Sequence, residues 1–157
     1  AIQLNEKLGD NLEQLGGTSL EMSWVATKTE HTQQAQLYRD AGARLVQSYI
    51  EAGHDSIYRY RAEALLAAID NRANDVFTAI TMVVDKGGRW QHFLSHEVFD
   101  PYRTDPRFQA QVSRMRDLAN IERGQILAML CGPESILTSW QPAPETCEIH
   151  KKQIVDI

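Results

Sequence analysis

His92 and His96 stand four residues apart in "HFLSHE", with Glu97 directly after the second. On a helix the two imidazoles share one face and could bind a metal, although no third ligand is evident locally. The zinc-hydrolase pattern places its Glu immediately after the first His, and Phe93 stands there instead. The competing reading is a pair of surface histidines around a corner held by Trp90 and Phe93. No Gly-x-Ser-x-Gly elbow presents a serine nucleophile, and no glycine-rich loop offers a phosphate cradle. Cys131, before Gly132-Pro133, has no base placed beside it by sequence. These residues point away from an enzyme and call for no cofactor. A metal-dependent enzyme using His92 and His96 is the third-ranked reading.

The two cysteines, Cys131 and Cys147, flank "GPESILTSWQPAPET", a segment with three prolines. A disulfide there would pin a poorly ordered tail to a helix end, stabilising it by roughly 3 kcal/mol for a loop of that size. Two free thiols in a reducing compartment are the alternative. Farther upstream, arginines and tyrosines interleave. Tyr38, Arg39, Tyr49, Arg59 and Tyr60 are the candidate interaction residues, since Tyr and Arg are enriched where partners dock. Solvated helix faces with snorkelling stems explain the same residues without a partner.

The elements that would position these groups are helical. The chain has 157 residues, 43% hydrophobic and 24% charged, which suits one globular domain. A net charge of −5 argues against nucleic acid as a partner. No apolar run approaches the ~18 residues a membrane span requires. Beginning on Ala1, the chain is expected to be a piece of a longer protein.

Ile2, Leu4, Leu8, Leu12 and Leu15 suggest a first helix, stopped by Gly16-Gly17. Thr18 or Ser19 then caps a short second one, with Glu21 completing a capping box. Stripes at 3.6-residue spacing predict helices over His31–Ala52, Asp55–Ile69 and Asn74–Lys86, with Asp55 as a cap and Gly53 and Gly87-Gly88 as stops.

"LVQSYIEAGHD" and "AITMVVDKGGR" align at an offset of 34, pairing Val46 with Ile80, Ile50 with Val84, and Gly53 with Gly87. That is the period of a tetratricopeptide repeat. In "FDPYRTDPRF" two Asp-Pro pairs each provide a cap and a first-turn proline, so Asp100 should start a one-turn helix. Asp105 should start a long one running to Cys131. The fold class expected is all-α, with antiparallel helix pairs of tetratricopeptide-like (α-solenoid) type. Residues 1–132 form the repeat domain and 133–157 an irregular tail.

The stretch from "AEALLAAIDN" through "VFTAITMVVDKGGRW" to "FDPYRTDPRFQAQVSRM" resembles the last tetratricopeptide-like repeat and terminal helix of certain bacterial signalling proteins. These are membrane-anchored winged-helix transcriptional activators and class III adenylate cyclases. The resemblance covers roughly residues 45–130, and its specific part is Phe99–Phe108. Gly88-Arg89-Trp90 is displaced from the family's Gly-Trp corner, Asp70 stands where Gly is frequent, and Val76 where a small residue is usual. The repeat is therefore degenerate.

The resemblance implies a non-catalytic interaction or sensory module at the C-terminal end of a signalling or transcription-regulatory protein. Its partner would be a protein or peptide, a neighbouring domain of the parent chain, or a second copy. A small-molecule sensor with a pocket among the helix pairs is the runner-up. The activator branch implies a periplasmic location, which would suit a Cys131–Cys147 bond. The cyclase branch implies the cytoplasm.

Overall fold

The structure, a computed structural model, describes residues 18–89, 91–131, 142 and 144–155. Among the described residues there is no strand, and the chain is all-α. Two compact units divide it, residues 1–113 and 114–157. The expected helix over 2–15 and Trp90 lie outside the described residues.

In the first unit, α1 (Thr18–Lys28), α2 (Thr32–Glu51), α3 (Ile57–Ile69) and α4 (Ala73–Asp85) follow one another. The three-residue turns after α1 and α3 make α1/α2 and α3/α4 antiparallel pairs. α3 packs on α4, its pair-mate, and also on α2 and α1. The reason lies in its sequence. Ala62, Ala64, Leu65, Leu66, Ala67 and Ala68 are all buried, and four of these six carry only a methyl. Small side chains allow helix axes to approach closely on several sides.

The α1/α2 crossing uses the same device. Ser23, fully buried, donates its hydroxyl to Ala35 O across the crossing (2.8 Å). Leu20 lies directly on the backbone of Gly42. Glu21 does not close a capping box with Thr18. Its carboxylate accepts from Arg61 Nη2 of α3 (3.0 Å), because a partner on a packed helix competes with the local one.

The offset of 34 has a physical basis in helix termination. Gly53 (φ +66°) and Gly87 (φ +89°) both take the left-handed conformation after their helices. The Gly53 and His54 amides donate back to Ile50 O and Tyr49 O (3.0 and 2.9 Å). Gly87 and Gly88 donate to Val84 O and Val83 O in the same pattern (3.1 and 2.8 Å). The starts of α2 and α4, Thr32 and Ala73, are 41 residues apart instead. The difference of seven is about two helical turns, so α2 is lengthened without rotating its apolar face.

The double Asp-Pro segment is a corner built on two arginine clamps. A 3₁₀ turn, Glu97–Tyr102, follows the short helix α5 (Gln91–Leu94). It is capped by His96, whose Nδ1 accepts from Val98 N–H (3.2 Å). Asp100-Pro101 therefore falls inside this turn and does not start it, contrary to the sequence expectation. Asp100 instead accepts from Arg103 Nε (2.6 Å), while the same guanidinium caps the carbonyls of Leu94, Ser95 and His96 (3.1, 2.7 and 3.3 Å).

Asp105 does cap its helix, α6 (Pro106–Cys131), accepting from the Arg107 amide (2.8 Å). Arg107 returns a fork to that carboxylate, bonds Asn74 Oδ1 (3.0 Å) and lies over the Phe77 ring (4.0 Å). Phe93 meets Phe99 edge-on (5.2 Å between centroids), Phe99 lies tilted against Phe108 (6.1 Å), and Tyr102 meets Phe77 edge-on (5.9 Å).

In the second unit, the segment 133–157, expected to be irregular, contains α7 (Pro144–Val155). Pro144 has a preset φ at the first helical position, and Glu145 sits in the first turn, where the helix dipole favours it.

Two outcomes test this packing. Gly→Ala inside a helix normally stabilises by up to about 1 kcal/mol. At Gly42 the new Cβ would lie 2.2 Å from Leu20 Cδ2 and 2.4 Å from its Cγ, so Gly42→Ala should instead destabilise. The expected loss in urea titration is roughly 1–3 kcal/mol.

Asp105's carboxyl is held below the usual carboxylate range by Arg107, through the side-chain bonds first and then the backbone amide. A lowered folded pKa stabilises fully above the unfolded value of about 4 and loses that contribution as pH falls through the folded value. The thermal midpoint of Asp105→Ala should therefore lie below wild type at pH 7, with the gap closing below pH ~4.

Candidate functional site

The histidine pair does not form a ligand set. α5 ends at Leu94, so His92 and His96 lie on different elements and do not share a helical face. His96 uses Nδ1 as a cap and sets its ring against Trp24 (5.3 Å, 73°). The His92 carbonyl accepts from Ser95 Oγ (2.7 Å). Among the described residues no group of three or more His, Cys, Asp or Glu is placed to hold a metal ion.

The Tyr/Arg residues separate into two groups. Tyr38 and Arg39 sit midway along α2. Arg39 forks onto Asp70, Nε to Oδ1 at 3.0 Å and Nη2 to Oδ2 at 2.8 Å, and also reaches Asp40 (3.1 Å). This gives Asp70 a structural role of its own. The carboxylate ties α2 to the α3–α4 turn, and the left-handed conformation passes to Asn71 (φ +56°).

Tyr49 lies ten residues further along α2, about 15 Å away along the axis. It joins the α2–α3 turn, where its ring meets His54 edge-on (5.7 Å). Arg59 bonds His54 O (3.1 Å) and Glu63 Oε1 (2.7 Å), and its guanidinium lies over Tyr60 (5.1 Å). Tyr60 donates to Asp55 Oδ1 (2.8 Å), and Lys86 at the end of α4 pairs with the other oxygen of that carboxylate. Lys86 and the Tyr60 hydroxyl hold the Asp55 carboxyl below its usual range, while Asp55 raises the Tyr60 phenol. α3 is capped by Ser56 Oγ, which accepts from the Arg59 amide (3.4 Å). That leaves Asp55 free for this cross-link.

Tyr49, Arg59 and Tyr60 therefore come together, and Arg39 is engaged elsewhere in the same unit. Arg39, Arg59 and Tyr60 have their polar groups committed within the chain.

The open surface lies beside them. A groove of about 320 Å³ runs between α2, α3 and α4. Val46, Ile50, Leu66, Ala67 and Ala79 supply its apolar lining, and Glu63, Arg72, Asp75 and Thr78 its polar edge. Its charges are internally matched, Glu63 with Arg59 and Asp75 with Arg72. The readable signal was Ile50, a large apolar residue beyond the buried stripe of α2 and 43% exposed. A second cavity of about 260 Å³ lies among Trp24, Lys28, Ile69, Glu97 and Pro101.

Cys131 and Cys147 are joined by a disulfide, with Cα atoms 5.5 Å apart, which ties α7 to the end of α6. Among the described residues no helix is long and apolar enough to cross a membrane. Comparison with protein-family models, curated proteins and solved structures found no match.

The bond makes a direct prediction. Oxidised protein unfolded in guanidinium without reductant should show no titratable thiol, and two after reduction. Reduction should open α7 to protease while the first unit keeps its resistance. Two thiols in the unreduced sample would contradict the bond.

Proposed function

We propose that this chain is a non-catalytic helical interaction module of tetratricopeptide-like type, and that its groove binds a segment of a protein partner. The observation that carries this reading is the groove between α2, α3 and α4. It is apolar at its floor, neutral at its edge, and large enough for one or two bulky side chains. The matched ion pairs at the rim favour an apolar anchor over a charged ligand. The layout of the pairs supports a repeat origin, since α3 packs on both helices of the pair before it and α2 and α4 end alike.

The clamped corner at Phe99–Phe108 carries the resemblance to the C-terminal regions of bacterial signalling proteins. The module would serve there as the interaction or sensory part of a transcription-regulatory or cyclase-type parent. The Cys131–Cys147 bond favours a periplasmic setting, because disulfides persist in oxidising compartments.

Peptide display against the whole chain tests the reading. Selected sequences should share one large aliphatic or aromatic residue, and Ile50→Arg should weaken their binding at least about tenfold, roughly 1.4 kcal/mol. Ile50 is partly exposed, so folding should survive the change, as helical circular dichroism would verify. Peptides that bind Ile50→Arg as well as wild type would overturn the proposal.

A further inference from the structure

The second cavity, about 260 Å³, lies in the first unit where the end of α1, the end of α3 and the 3₁₀ turn meet. Trp24, Ile69, Val98 and Pro101 give it an apolar wall. Its polar lining includes Lys28 and Glu97, opposite charges on different elements. Lys28 closes α1, and its ammonium lies over the Trp24 ring, 5.3 Å from the centroid. Glu97 opens the 3₁₀ turn, next to the His96 ring that meets Trp24 edge-on. The indole is therefore held where α1 meets the turn.

Elsewhere in this unit opposite charges on separate elements close on each other, as in Arg39–Asp70, Arg61–Glu21 and Lys86–Asp55. Asp100, which also lines the cavity, is taken up by Arg103 (2.6 Å). Lys28 and Glu97 are the exception. Among the described residues neither the Lys28 ammonium nor the Glu97 carboxylate forms a hydrogen bond or an ion pair, with each other or with another group.

We infer that this cavity binds a free aliphatic α-amino acid. Lys28 takes its carboxylate, Glu97 its ammonium, and Ile69, Val98 and Pro101 its side chain. The charges choose the class. A ligand that is only an anion meets Glu97, and one that is only a cation meets Lys28, so each is opposed where a zwitterion is held at both ends. The Lys28 ammonium has three donors and can bond a carboxylate while keeping its place over the ring. Size points the same way. Roughly nine waters would fill such a volume, which suits one amino acid and excludes a folded partner. The inference does not depend on the groove beside Ile50, which shares none of these lining residues.

The test titrates the full oxidised chain with L-leucine and two single-charge analogues, followed by amide chemical shifts. The analogues are isoamylamine, which lacks the carboxylate, and isocaproate, which lacks the amine. A ligand this small should bind with a Kd of about 0.01–1 mM. Leucine should move the amides that line the cavity and bind at least about tenfold tighter than either analogue. Lys28→Gln should remove its advantage over isoamylamine, and Glu97→Gln its advantage over isocaproate. Both residues are exposed, so both variants should keep their helical circular dichroism.

Leucine that binds no tighter than its analogues, moves amides elsewhere, or fails to bind below ~10 mM would overturn the inference. Unchanged leucine binding in both variants would do the same. Peptides selected by display for the groove should bind both variants as they bind wild type. Loss of that binding in the same variants would overturn the assignment of these residues to a separate site.

Discussion

Between Ala62 and Ala68 only Glu63 reaches solvent, and the first unit is organised around that fact. α3 meets α1, α2, α4 and the 3₁₀ turn, so four elements depend on one helix being narrow. Alanine at 62, 64, 67 and 68 makes this geometry available, and Leu65 and Leu66 supply the area that makes it stable. Interiors pack at near-crystalline density, so the same crowding leaves little room for larger side chains. The close approach of α1 to α2 through Ser23 and Gly42 is the same solution applied one pair earlier.

Around this apolar centre the charged side chains act as clasps between elements. Arg39–Asp70 ties α2 to the turn after α3, and Arg61–Glu21 ties α3 to α1. Lys86–Asp55 joins the end of α4 to the turn before α3. Arg103 and Arg107 hold the corner that leads into α6. Partly exposed pairs of this kind add modest stability each, but they fix which element neighbours which. With these arginines so occupied, the open apolar surface of the first unit is the groove beside Ile50, on which the proposed interaction rests.

Much of this was legible in the residues. The stripes of α2, α3 and α4 gave their extents to within two residues, because amphipathic periodicity and glycine stops are local signals. The Asp105 cap was legible for the same reason. The clasps were less so. Glu21, Asp55 and Asp100 each sit where a local cap is chemically sensible, and each is drawn to a basic partner instead. Two of those partners, Arg61 and Lys86, are more than thirty residues distant in sequence.

The tail was misjudged because three prolines read as loop, although Pro144 and Glu145 also mark a helix start. His92 and His96 have helical spacing, but Arg103 and the His96 cap end that helix between them. The grooves were legible only through Ile50, since a concavity belongs to no single element.

Native-state hydrogen exchange tests most directly whether α3 is the element on which the first unit depends. The amides of Ala62–Ala68 should be the slowest to exchange in residues 18–113, and they should share one opening free energy equal to that of global unfolding. Exchange through α3 by a lower-energy opening, while α2 or α4 stays protected, would contradict it.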